Sequence, residues 1–126
     1  MVFDHIGFNV TDFAAAKTFF VQALAPLGLT ITQEEKAWAM IGKAGEGNLW
    51  FGAMGDVPGP VHVAFAAQDR EAVRQFHAAA LAAGGRDNGA PGLRPQYHPA
   101  YYAAYVLGPD GHNLEVLTRP YGSGTG

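Results

Sequence analysis

HVAFAAQDREAVRQFHAAALAAGG, residues 62–85, repeats without a gap the pattern of HIGFNVTDFAAAKTFFVQALAPLG, residues 5–28. His5 falls on His62, Phe8 on Phe65, Asp12 on Asp69, Phe19 on Phe76, Leu24 on Leu81 and Gly28 on Gly85. Each half then ends in a second echo, GNLWFGA around Trp50 and HNLEVLT around Glu115. An internal duplication outranks other organisational signals, because a repeated unit fixes the element order twice over.

Within each copy the apolar period changes from two to that of a helix. Val2, Ile6, Phe8 and Val10 share one parity and His5, Gly7 and Asn9 the other, as expected of a strand with one buried face. Asp12 and Asp69 are placed to cap helices, and Pro26–Leu27–Gly28 and Gly84–Gly85 to stop them. LTITQEE and KAWAMIG suggest a hairpin, and NLWFGA a fourth strand. GDVPGP links the halves. In the second half, GRDNGAPGLRP is expected to hold an irregular third strand. AYYAAYVL and HNLEVLT then pair across the turn GPDG. Each half is therefore strand–helix–strand–strand–strand. The expectation is one α+β domain over 1–126, with modules of about 2–56 and 60–119.

Parity also places the polar residues. Bulky Ile6, Phe8, Val63 and Phe65 should face the helices. The opposite face carries His5, Gly7 and Asn9 in one copy and His62, Ala64 and Ala66 in the other. Trp50 and Glu115, flanked by core residues on the last strands, should point to that same face. Small residues with a few large polar ones are what a concave site requires.

Composition excludes several classes. The net charge of −3 leaves no basic footprint for nucleic acid. With no cysteine there is no disulfide, zinc-thiolate or thiol chemistry. No apolar run is long enough for a membrane helix, and the N-terminus lacks a signal-peptide pattern, so a cytoplasmic location is the expectation. The tail YGSGTG is expected to be mobile.

DHIGFNVTD, VHVAFAAQDR and GPDGHNLEV together resemble the vicinal oxygen chelate superfamily, which includes glyoxalase I, extradiol dioxygenases, fosfomycin-modifying transferases and bleomycin-resistance proteins. The resemblance implies two paired βαβββ modules whose curled sheets enclose a metal cleft. It also implies ligands on the first and fourth strands of each module, here His5, Trp50, His62 and Glu115. Indole offers no lone pair, so the implied metal set is His5, His62 and Glu115. Two histidines and a carboxylate suit Fe(II), Mn(II) or zinc. Tyr105 stands where the dioxygenases and fosfomycin enzymes place an active-site tyrosine. The family also implies a homodimer, in which His5 and His62 come from one chain or from two.

Other candidates come from the residues themselves. His98, in RPQYHPAYY, is a candidate proton shuttle in a loop over the cleft. Arg94 is a candidate for holding an anionic group, and Tyr102 and Trp50 for lining the substrate site. His112 reads as an exposed turn residue and His77 as a partly buried helix residue. The function expected is a divalent-metal-dependent lyase, dioxygenase or transferase acting on a small oxygen-chelating molecule. The alternative is a metal-free protein that sequesters a drug.

Overall fold

The computed structural model describes residues 3–46, 48–57 and 59–120. The expected strand residue Val2 and the tail 121–126 lie outside them. The first module runs β1 (His5–Asn9), α1 (Phe13–Leu24) with a 3-10 turn over Ala25–Leu27, β2 (Thr30–Glu34), β3 (Trp38–Gly42) and β4 (Asn48–Gly52). The second runs β5 (His62–Ala66), α2 (Arg70–Ala82), β6 (Arg86–Leu93), β7 (Tyr102–Leu107) and β8 (Asn113–Thr118). The two sheets have the same order, β1-β4-β3-β2 and β5-β8-β7-β6, so the duplication in sequence is a duplication in topology. In each, the first strand runs parallel to the last, and the other pairs are antiparallel.

The local signals act as their chemistry requires. The Asp12 carboxylate accepts the Ala15 N–H at 3.0 Å, and that of Asp69 accepts the Ala72 N–H at 2.8 Å. Each cap contributes about 1 kcal/mol. The expected irregular strand is β6, which shifts register on both sides of Gly89, a residue with φ of 156°.

One apolar core spans both modules. Phe20, Leu24, Phe51, Val73, Phe76 and Leu114 are fully buried in it, and the ring centroids of Phe20 and Phe51 lie 4.8 Å apart. Each such side chain contributes roughly 1.5–3 kcal/mol. Helix α1 packs on α2, bringing the modules together on their helical side. A polar latch ties them as well. The carboxylate of Asp110, which has φ of 59° in the turn before β8, accepts the N–H of Thr11 at 2.8 Å and its hydroxyl at 2.5 Å.

Three expectations need correction. His112 is not an exposed turn residue. It is 1% exposed, accepts the Val61 N–H at Nδ1 (3.0 Å), donates from Nε2 to the Asn9 carbonyl (3.1 Å) and lies 4.1 Å from the Phe8 ring. The residue after the turn faces inward because the other module is packed there. Ile6, expected in the core, is 46% exposed. It borders a cavity of about 300 Å3 beside β1 and β5, with Leu27, Leu29, Leu49, Val63 and Phe65. The sheets also stay separate, so one chain does not close them around a cleft.

Candidate functional site

Strand register assembles a cluster on the second sheet. Glu115 on β8 lies opposite Ala64 on β5 and Tyr105 on β7, and Tyr105 lies opposite Gly89 on β6. These four share one face because side chains alternate along each strand. His62 stands two residues before Ala64 on β5 and therefore faces the same way. Its Nε2 is 2.8 Å from Glu115 Oε1. Tyr101, just before β7, donates its hydroxyl to Glu115 Oε2 at 2.5 Å. Glu115 is 2% exposed, so the two contacts replace the water that its oxygens give up.

The Tyr105 phenol is pushed up to about 12 by burial first, and then by the charge of Glu115 and a hydrogen bond to it. Its ring centroid is 6.3 Å from that of His62. A phenol in this state keeps its proton at neutral pH, so it acts as a hydrogen-bond donor or an acid and not as a base.

The turn between β6 and β7 builds one wall. Arg94 N–H donates to the Tyr101 carbonyl at 2.7 Å, closing the turn that delivers Tyr101 to Glu115. The Arg94 guanidinium lies 5.4 Å from the Tyr105 ring centroid and donates to the Ala90 carbonyl at 2.8 Å. Gly89 and Gly92 leave room for it, since a Cβ at either position would come within 3.2 Å of a guanidinium nitrogen. His98, the expected shuttle, uses Nδ1 to accept the Ala100 N–H at 2.9 Å. It shapes the turn, and no described hydrogen bond joins it to Glu115.

Tyr102 is on the other face. Its ring packs under Arg70 and Arg74, with their guanidinium carbons 5.0 and 5.8 Å from its centroid, and its hydroxyl accepts from Arg74 at 3.3 Å. The tyrosine that reaches the cluster is Tyr101, which the sequence reading did not single out. Its parity with Tyr105 was the available signal, because neighbours along a strand face opposite ways.

The first sheet holds the rest of the expected site. His5 hydrogen-bonds Asp4 through Nδ1 at 2.8 Å. With Gly7, Phe8, Asn9, Trp50 and Met54 it lines an open cavity of about 450 Å3. Trp50 lies across Gly7, where an added Cβ would meet its Cε3 at 2.9 Å. Among the described residues no group of three His, Cys, Asp or Glu is placed to hold a metal ion. His62 and Glu115 are close enough to share an ion, but His5 is not with them. A single chain thus supplies two of the three expected donors, and alone it does not fit a three-ligand metal centre.

The family model described as the Glyoxalase/Bleomycin resistance protein/Dioxygenase superfamily matches residues 2–116. A glyoxalase/bleomycin resistance protein from Albidiferax ferrireducens T118 is 28% identical, with a TM-score of 0.82 over 95% of this chain and 100% of that one. A glyoxalase-related enzyme from Fulvimarina pelagi is 18% identical, with a TM-score of 0.75 over 98% and 93%. A lactoylglutathione lyase from Agrobacterium tumefaciens is 18% identical, with a TM-score of 0.68 over 94% and 92%. The last two likenesses are of fold alone. No curated protein matches this chain.

Proposed function

Since the chain belongs to the glyoxalase/bleomycin resistance protein/dioxygenase superfamily, we propose that it is a divalent-metal-dependent enzyme acting on a small oxygen-chelating molecule. The observation that carries this reading is the buried Glu115, flanked by His62 and by the protonated Tyr105 on one open sheet face. His62 and Glu115 of one copy and His5 of a second copy would hold the ion, in a homodimer that would join the first sheet of one copy to the second sheet of the other. Such a split site accounts for His5 lying apart from the other two donors in one chain. When bound, the metal supplies Lewis acidity toward the chelated oxygens. Tyr105 donates a hydrogen bond to an oxygen that gains charge, and Arg94 holds Tyr105 in place from above. Tyr101 keeps the Glu115 carboxylate oriented. Histidine and carboxylate ligands would have to be unprotonated to hold an ion, so occupancy falls as pH falls.

The test is cobalt titration of wild type, His5→Ala and His62→Ala, and of the two variants mixed. Each variant alone should lose tight binding. Random pairing in the mixture makes half the dimers mixed, each with one intact site, so capacity should return to about a quarter of wild type. Wild-type protein that binds no cobalt defeats the metal reading. Variants that bind as wild type does defeat the ligand assignment. Recovery of nothing on mixing, in protein that is dimeric by sedimentation, defeats the split site.

A second reading is favoured by one specific observation. Both Glu115 oxygens already have protein partners, as in a site that binds a ligand without metal. Tight binding of a bleomycin-like ligand by protein that takes up no cobalt would select it.

A further inference from the structure

The open face of the first sheet carries two indoles on a glycine floor. Register places Gly7, Trp50 and Met40 in one row across β1, β4 and β3, and Asn9, Gly52 and Trp38 in the next. Each tryptophan therefore has a glycine beside it in its own row. A Cβ at Gly7 would meet Trp50 Cε3 at 2.9 Å, and one at Gly52 would meet Trp50 Cη2 at 2.9 Å and Trp38 Cβ at 2.5 Å. The Trp50 ring thus spans both glycines and lies along the sheet. The two indole centroids are 6.1 Å apart with planes tilted by 32°, and both rings are half-buried. Met54, 61% exposed, borders the same cavity as Trp50. Its segment is pinned by Asn9, whose Oδ1 accepts the Met54 N–H at 3.3 Å and whose Nδ2 donates to the Asp56 carbonyl at 3.2 Å.

We propose that Trp38 and Trp50, edged by Met40 and Met54, form a stacking platform for a planar aromatic ligand. The inference rests on the reading that the open sheet faces hold the small-molecule site, and it adds the substrate class. The cavity of about 450 Å3 over Trp50 suits a ligand of two fused rings, being within the usual range for small-molecule sites. The indole faces offer quadrupolar stacking that a saturated skeleton of the same size cannot use. Methionine sulfur adds soft contacts at the rim. His5 borders the same cavity, so a ligand on the platform reaches the residue assigned to the metal.

The chain has two tryptophans, and both are in the platform, so every indole signal reports on it. Metal-free protein labelled with nitrogen-15 is titrated with 2-naphthol and, separately, with decahydro-2-naphthol, neither of which chelates. Both indole N–H resonances should move with 2-naphthol. The saturated analogue should bind about two- to tenfold more weakly, the range that stacking adds beyond buried area. Trp50→Leu and Trp38→Leu should each weaken 2-naphthol by roughly tenfold, and Trp50→Phe should keep most of the affinity. Met54→Asp, on the exposed rim, should weaken binding if the core substitutions cost the fold. Equal affinity for the two naphthols, unmoved indole signals, or undiminished binding by the leucine variants overturns the platform. Cobalt titration of the same samples separates the two readings. Naphthol binding without cobalt binding removes the metal assignment and leaves the platform, and cobalt binding without naphthol binding does the reverse.

Discussion

The hydroxyl of Tyr101 donates to Oε2 of Glu115 at 2.5 Å, while Oε1 faces His62 at 2.8 Å. One carboxylate on β8 is thus held from two sides, by the strand that opens its module and by the residue that precedes β7.

Tyr101→Phe removes that donor and changes little else in shape. It leaves Oε2 of a buried carboxylate without its partner, which costs about 1.5–3 kcal/mol. The urea midpoint should fall at unchanged m-value, and the melting temperature by several degrees. A midpoint within error of wild type would mean that the carboxylate finds another donor.

A surface pair gives a pH-dependent term of known sign. The His77 imidazole, followed by the N–H of Gly89, holds the Asp87 carboxyl below its ordinary value. A depressed folded pKa gives stability that is present above the unfolded value and is lost as pH falls through the folded one. Wild type should therefore exceed Asp87→Asn in melting temperature at pH 5–6, and the gap should close as pH drops below the ordinary carboxylate range, about 4. A gap that widens in acid contradicts the assignment. The effect is small, because the pair is at the surface.

How far the sequence could be read depends on which contacts are local. Strand order, caps and helix ends follow from alternation, from Asp12 and Asp69, and from the repeat, all of which act within a few residues. Glu115 and Tyr105 were legible because parity along one strand decides a face. Tyr101 was missed and Tyr102 chosen although parity with Tyr105 favoured Tyr101, and one residue along a strand reverses the face. His112 was misread because its partners, Asn9 and Val61, are brought to it by the packing of one module on the other. His5 lies apart from Glu115 for the same kind of reason. The repeat fixes each module, whereas the joining of two sheets depends on surfaces.

Tyr105 should titrate late. Its pKa of about 12 exceeds the ordinary 10, chiefly through burial. Because the folded state then holds its proton more tightly than the unfolded chain, stability present below pH 10 should decline as pH rises toward 12. Absorbance at alkaline pH should show fewer early-ionising phenols in wild type than in unfolded protein, and Tyr105→Phe should remove the latest step. If the protein is an enzyme, the same variant should lower turnover by roughly ten- to a thousand-fold with metal binding intact, the range for one lost donor. An unchanged rate would show that the hydroxyl is a bystander.

His112→Phe tests the joint between the modules. The phenyl ring keeps the packing on Phe8, whose centroid lies 4.1 Å from that of the imidazole. It removes both polar contacts, so the Val61 N–H loses its acceptor and the Asn9 carbonyl its donor at a site 1% exposed. Each group left unsatisfied costs about 1–3 kcal/mol, and the pair together about 2–6 kcal/mol. That is a large part of the 5–15 kcal/mol, approximately, that holds a domain of this size together. Urea unfolding should show the loss. Amide exchange should quicken first at Val61 and at Thr11, where the Asp110 latch meets the same joint. A loss below about 0.5 kcal/mol, the scatter of ordinary surface substitutions, would place the strength of the joint in the α1–α2 packing and not in His112.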